Sequence, residues 1–318
     1  MDDLRRPLGT TGLRVHPLCL GGNVFGWTAD EPTSFAVLDA YVAAGGNIVD
    51  TANIYSAWAP GNRGGESESI LGRWLADRGR PDDLLLATKV GMAGGDMRKG
   101  LTRERVRRGL EGSLARLGVE RIDLYYAHED DGDTPLEETV AAFDELVREG
   151  LVGAVGASNY AAPRLAEALR VAGEAGMAPF TVLQPRYNLI DRDEFEGPLA
   201  DLCRARGVAV APYFGLARGF LAGTYRPGLP LRDSPRAAGV VREYSTPRAA
   251  AVLAAVDAVA AAHDATPAQV SLAWLTAQEG VATALASATS VAQVRELTGA
   301  AALRLSAEDL SRLAAAGA

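Results

Sequence analysis

The chain is poor in lysine, histidine and cysteine. Of 32 basic residues only Lys89 and Lys99 are lysines; arginine carries the rest, beside three histidines and two cysteines. Cys19 and Cys203 cannot build a disulfide framework, so a reducing, cytoplasmic setting is the default expectation. Three scattered histidines and no Cys-x-x-Cys argue against a multi-ligand metal centre, and no metal is expected. Positive charge is also in deficit. With 32 basic against 40 acidic residues the net charge is −8, the wrong sign for a chain that neutralises nucleic-acid phosphates. No apolar run is long enough to span a bilayer, and the start, Met1-Asp2-Asp3-Leu4-Arg5-Arg6-Pro7, lacks the apolar centre of a secretory signal. Neither nucleic acid nor membrane is therefore an expected partner. Where arginine is used almost everywhere, a lysine inside an apolar strand marks a place where a guanidinium would not serve.

What the chain does have is alternation. Short apolar runs predict strands over 15–21, 48–50, 84–89, 122–128, 152–158, 182–184, 208–213 and 283–286. Amphipathic runs predict helices over 32–44, 67–78, 102–117, 135–149, 161–175, 195–206, 247–263 and 267–277. Thr266-Pro267 is a cap followed by proline at the first helical position, and Gly45, Gly118, Gly150 and Gly207 sit just past helix ends. Strands each followed by a helix, without a polar linker, predict a single (β/α)8 TIM barrel spanning 1–318. An N-terminal hairpin turning at Thr11-Gly12 precedes it. An open doubly wound sheet would carry a Gly-x-Gly-x-x-Gly turn, which the run from Leu20 to Gly26 only loosely matches. The stretch 214–245, rich in Gly, Pro and Arg, is too long for a simple connection, and such loops are usually functional.

Barrel chemistry sits where strands end. Here those ends read Asp50-Thr51-Ala52 with Tyr55 beyond, Thr88-Lys89, Ala127-His128, Ser158-Asn159, Gln184-Pro185 and Pro212-Tyr213. Any one could simply satisfy the last backbone groups of a strand. Asp, Tyr, Lys and His converging from three consecutive strands point instead to acid–base work. A tyrosine has an ordinary pKa near 10; a neighbouring ammonium lowers it, and a carboxylate keeps that ammonium charged and oriented. A neutral histidine can orient a substrate oxygen. Such a site moves a proton to or from an oxygen that becomes, or ceases to be, an alkoxide, and a hydride would have to come from a cofactor.

The motifs Val49-Asp50-Thr51-Ala52-Asn53-Ile54-Tyr55-Ser56, Thr88-Lys89-Val90, Ile122-Asp123-Leu124-Tyr125-Tyr126-Ala127-His128 and Gly156-Ala157-Ser158-Asn159 resemble the aldo-keto reductase superfamily. The match continues through Leu183-Gln184-Pro185-Arg186-Tyr187-Asn188-Leu189 and Leu216-Ala217-Arg218-Gly219-Phe220-Leu221-Ala222-Gly223, so it covers nearly the whole chain in order. Gly64-Gly65-Glu66-Ser67-Glu68 and the extended seventh loop are most similar to the longer bacterial members. The resemblance implies a nicotinamide nucleotide bound without a Rossmann domain, and interconversion of aldehyde, ketone or sugar carbonyls with alcohols. It implies Tyr55 as general acid/base, Lys89 as its partner, Asp50 as counter-ion and His128 as the carbonyl-orienting residue. Ser158, Asn159 and Gln184 would bond the carboxamide, Tyr213 would stack on the nicotinamide, and Gly22 and Asn23 would approach the ribose. Leu216, Arg218, Gly219, Leu221 and Gly223 would fold over the pyrophosphate, and Ser287, Thr289 and Gln293 would meet the adenosine phosphate. Relatives carry lysine and arginine where this chain has Ser287 and Gln293, and Thr224 replaces a further lysine. NADPH is expected to be preferred over NADH by a modest margin, with Arg218 and Arg226 supplying charge.

Other residues read more blandly. His16 is expected on the hairpin surface, His263 at a helix end, and Cys203 packed in a helix. Trp27 and Trp58, in the first two loops, are expected in the substrate pocket, and Trp74 and Trp274 on helix faces. Glu129-Asp130-Asp131 reads as a solvated loop, or an acidic rim disfavouring anionic substrates. Two competing functions are a lyase or aldolase using Lys89 as a Schiff base, and a cofactor-binding regulatory subunit.

Overall fold

The computed structural model describes residues 4–226 and 234–317. An antiparallel hairpin, β1 (Arg6–Pro7) and β2 (Arg14–Val15), leads into eight parallel strands. These are β3 (Leu18–Gly21), β4 (Ile48–Asp50), β5 (Leu85–Val90), β6 (Ile122–Ala127), β7 (Val152–Ser158), β8 (Val182–Gln184), β9 (Ala209–Val210) and β10 (Ala284–Ala286). Hydrogen bonds join them in the order β10-β3-β4-β5-β6-β7-β8-β9. The ring then closes. Val210 bridges Val281 in parallel, and Ala282 N–H donates to Val210 O and Leu285 N–H to Pro212 O, each at 2.9 Å. The chain forms the expected (β/α)8 barrel with its hairpin.

Helices α1 (Glu31–Ala43), α2 (Glu66–Arg78), α3 (Arg103–Leu117), α4 (Leu136–Arg148), α5 (Ala162–Ala175) and α6 (Pro198–Arg206) follow β3 to β8 in turn. After β9 come α7 (Ala237–Tyr244), α8 (Pro247–Ala262) and α9 (Pro267–Thr276); after β10 come α10 (Val291–Gly299) and α11 (Ala307–Ala316). Local chemistry explains their ends. The Thr102 hydroxyl accepts from Arg105 N–H at the start of α3, and Thr266 forms a reciprocal capping box with Gln269 at the start of α9. Gly118 and Gly207 close α3 and α6 in the left-handed conformation. Among the described residues no single helix is long and apolar enough to cross a membrane.

Period two places the site. Along the strands, Ile48, Ala87, Leu124, Tyr126, Ala154, Val182 and Ala209 share one buried cluster inside the barrel, joined by Leu8 and Val15 from the hairpin region. The alternate residues Val49, Leu86, Tyr125, Val155, Leu183 and Val210 belong to the larger cluster under the helices. Two residues on from an inward apolar residue, toward the strand ends, stand Asp50, Lys89, His128 and Gln184, and Ser158 stands four on from Ala154. The barrel floor is apolar and its mouth is polar. Gly156 makes room for this: a Cβ there would lie 2.6 Å from the Tyr126 ring and 2.8 Å from Val182 O.

The structure corrects three expectations. The run 15–21 is broken at His16-Pro17, so only Leu18–Gly21 enters the barrel. His16 is buried rather than on the surface; its Nδ1 accepts from Leu18 N–H at 3.0 Å, its N–H donates to Asn47 Oδ1 at 2.8 Å, and burial lowers the imidazole pKa. The long seventh loop, described apart from 227–233, contains α7, and its polar composition hid Val240 and Tyr244, which face the core.

Candidate active site

Lys89 is completely buried, and its ammonium meets three acceptors: Asp50 Oδ2 at 2.5 Å, Thr51 O at 2.8 Å and Tyr55 Oη at 3.0 Å. An ammonium has three hydrogens, so each is used. Since the ammonium donates to the Tyr55 oxygen, the phenol's own hydrogen is left for another acceptor. Asp50 uses its second oxygen to accept from Gln184 Nε2 at 2.9 Å. The imidazole of His128 lies 5.9 Å from the Tyr55 ring, centroid to centroid, and its buried Nδ1 has no partner. The four expected residues are thus brought together from β4, β5, the end of β6 and the loop after β4.

Burial dominates the electrostatics. It is the largest influence on Lys89 and works against the charged form, but Asp50 and then Tyr55 outweigh it, so the ammonium stays above its ordinary value. Burial raises the Asp50 carboxyl against the pull of Lys89. It also raises Tyr55, which corrects the expected lowering: the Lys89 ammonium pulls the phenol down, but only part of the way. The Tyr55 phenol is therefore protonated at neutral pH. His128 is pushed well below its usual value by burial and by Lys89, so its ring is neutral.

Across the mouth, Ser158, Asn159, Gln184 and Tyr213 form one network. Ser158 Oγ donates to Gln184 O at 2.8 Å, Asn159 Nδ2 donates to His128 O at 2.9 Å, and the Tyr213 hydroxyl donates to Asn159 Oδ1 at 2.7 Å. On the other side stand Trp58, 46% exposed, and Trp27, with centroids 5.8 Å apart; Trp58 lies 5.5 Å from the Tyr55 ring. Trp74 and Trp274 are core residues on α2 and α9.

The outer cleft differs more from expectation. Arg218 pairs with Glu243 at 3.0 Å, and Arg226 grips Asp257 through two 2.6 Å bonds, so each already has a carboxylate. Thr289 bonds Gln293 through both its N–H and its hydroxyl, and Ser287 bonds Asn23. Leu216, Gly219, Leu221 and Gly223 lie in or beside a turn of 3-10 helix over Ala217–Ala222, in which Arg218 and Gly219 take positive φ. A residue the sequence did not single out is Arg236. Its guanidinium lies 4.4 Å from the Trp27 ring centroid, no carboxylate among the described residues pairs with it, and burial lowers its pKa to about 10. It was one of many arginines in a polar loop, with no signal of its own.

The acidic run after His128 is neither a solvated loop nor a free rim. Asp131 is buried, accepting from Leu101 N–H at 2.7 Å and Thr134 Oγ1 at 2.5 Å, while Asp130 pairs with Arg164 and Glu129 with Lys99. His263 closes α8 and bonds Asp309 at 2.9 Å, and Cys203 is packed inside α6.

Comparison with known proteins shows the family. The family model for the aldo/keto reductase family matches residues 17–318. The aldo-keto reductase str7 of Strobilurus tenacellus is 33% identical over 291 residues, covering 90% of this chain and 82% of that protein. The uncharacterized oxidoreductase YrpG of Bacillus subtilis is 40% identical over 224 residues, 68% of this chain and 67% of that one. The norsolorinic acid reductase stcV of Emericella nidulans is 39% identical over 223 residues, 65% of this chain and 56% of that one. With its barrel, its strand-end polar groups and a match from residue 17 to the end, the chain belongs to the aldo/keto reductase family.

Proposed function

We propose that the protein is a nicotinamide-nucleotide-dependent oxidoreductase that interconverts aldehyde or ketone carbonyls and alcohols, with 1–318 as one catalytic domain. The observation that carries this reading is the Lys89 ammonium, bonded to Asp50, Thr51 O and Tyr55 so that the phenol hydrogen is free. In the reductive direction Tyr55 gives that proton to the carbonyl oxygen as it becomes an alkoxide. Lys89 holds the resulting phenolate, and Asp50 holds Lys89. His128, neutral and beside Tyr55, orients the same oxygen. When bound, the reduced nicotinamide supplies the hydride that no side chain here can supply.

The residues present suit such a nucleotide. Gly22 leaves its backbone bare, since a Cβ there would lie 2.8 Å from Ser67 Oγ and 3.3 Å from Asp50 O. Ser158, Asn159 and Gln184 face Tyr213 across the mouth as carboxamide and ring partners. Gly22 and Asn23 serve the ribose, and Leu216, Arg218, Gly219, Leu221 and Gly223 cover the pyrophosphate. Arg236, which has no carboxylate partner among the described residues, stands beside this strap, and at the far end Ser290 caps α10 next to Ser287, Thr289 and Gln293. Arg295, exposed on α10, has no carboxylate partner among the described residues. A site with few free cations favours NADPH over NADH, but modestly, because charge-assisted bonds are about twice as strong as neutral ones. Trp27 and Trp58 wall the substrate side.

Schiff-base chemistry fits less well. It needs a free amine, whereas Lys89 is charged, buried and fully bonded. The test is NADPH absorbance on addition of a panel of aldehydes, ketones and sugar carbonyls. Turnover that vanishes in Tyr55→Phe supports the proposal. No turnover, with a borohydride-trapped adduct on Lys89, would overturn it.

A further inference from the structure

The motif Gly64-Gly65-Glu66-Ser67-Glu68 opens α2 on the outer side of the barrel wall, and the acid–base reading leaves it unused. Ser67 and Glu68 are nevertheless completely buried. Ser67 Oγ donates to Gly22 O at 2.8 Å and lies 2.8 Å from Thr51 Oγ1. A hydroxyl has one hydrogen. With that hydrogen on Gly22 O, the bond to Thr51 runs from Thr51 Oγ1 to Ser67 Oγ, giving a directed chain from Thr51 through Ser67 to Gly22. Glu68 accepts from Thr88 Oγ1 at 2.6 Å and from Arg116 Nε at 2.7 Å. Thr88 immediately precedes Lys89, and Thr51 O is one of the three acceptors of the Lys89 ammonium.

We propose that Ser67 and Glu68 are positioning residues for the acid–base site: from outside the wall they hold the two threonines that set where Lys89 meets Tyr55. The inference rests on the proposed oxidoreductase reading. Neither residue touches the reacting groups, and both act through backbone they pin. Thr51 has a backbone anchor, its N–H to Ala87 O at 2.8 Å, but among the described residues its side chain bonds only Ser67. Losing that bond lets the 51 carbonyl drift and withdraws the ammonium from the phenol oxygen.

The chain's two lysines allow a direct test. Lysine labelled with carbon-13 at Cε gives one signal from buried Lys89 and one from Lys99, which is largely exposed. Ser67→Ala is expected to move or broaden the Lys89 signal and leave Lys99 unchanged, without any substrate present. Its kcat for carbonyl reduction should fall about ten- to hundredfold, the usual effect of a sub-ångström to 1 Å misplacement. The alkaline limb of the reduction profile should move to higher pH as the phenol loses its ammonium. Glu68→Gln, which keeps an acceptor for Thr88, should show the same changes in weaker form. Thr51→Val breaks the Ser67 bond from its other end and should reproduce Ser67→Ala; the double variant should be no worse than either single. Ser69→Ala, two residues beyond Ser67 on α2, is the unchanged control. A Ser67→Ala enzyme with a wild-type Lys89 signal and pH limb overturns the proposal, whatever its melting temperature; if that variant does not fold, the same readings on Thr51→Val decide. A wild-type protein that reduces no carbonyl would defeat the activity reading, while the Lys89 signal would still judge the clamp.

Discussion

Removing the lysine ammonium while keeping the side chain's length is the sharpest perturbation available. In Lys89→Met the Asp50 carboxylate loses its 2.5 Å partner and keeps only Gln184 Nε2 at 2.9 Å, in a fully buried position. Breaking a buried pair by removing one partner costs about 3–5 kcal/mol, because the remaining charge is uncompensated. At about 2 °C per kcal/mol for a chain this large, the melting temperature should drop by roughly 6–10 °C. The pH dependence has a definite sign. Burial already raises the Asp50 pKa above its ordinary value, and without Lys89 it rises further. A group raised in the folded state contributes stability below its unfolded pKa and loses it as pH rises through the folded one. The gap between variant and wild type should therefore narrow as pH falls. Asp50→Asn combined with Lys89→Met removes both charges and should recover most of the loss. Thermal melts of the three proteins at several pH values provide the test. A Lys89→Met protein as stable as wild type at neutral pH, or a double variant less stable than the single, would refute the reasoning. In the same variant the pH profile of alcohol oxidation should move upward, since the phenolate has lost its cation.

Tyr55→Phe keeps the ring but removes the proton, so single-turnover hydride transfer should slow by about 10²–10⁴ while the nucleotide dissociation constant barely changes. NADPH should bind about 5- to 150-fold more tightly than NADH, or about 1–3 kcal/mol, by tryptophan fluorescence; a tighter constant for NADH would reverse the assignment. Arg236→Met should weaken both nucleotides and flatten the salt dependence of binding, and unchanged affinity would remove Arg236 from the phosphate site. Gly156→Ala places a methyl group 2.6 Å from the Tyr126 ring and should cost about 1–3 kcal/mol in a denaturant melt.

Much of this was legible in the sequence because a strand alternates with period two. Once Ile48, Ala87 and Val182 are inward, Asp50, Lys89 and Gln184 must be inward too, one layer higher, and parallel pairing brings those strand ends to the same mouth. A lone lysine in an apolar strand completed the pattern. What depends on distance across the fold was not legible. Arg218 and Arg226 read as free cations because their carboxylates lie 25 and 31 residues away. His16 and Asp131 read as surface residues because their partners, Asn47 and Leu101, come from other loops. The direction of the Tyr55 pKa turned on desolvation, a property of everything packed around the ring rather than of Lys89 alone. Which side chains meet at the mouth could be read from the residue order alone, since pleat and strand succession are local. Which charges remain unpaired there follows from long-range contacts, because the neutralising carboxylates, Glu243 and Asp257, reach Arg218 and Arg226 from other parts of the fold.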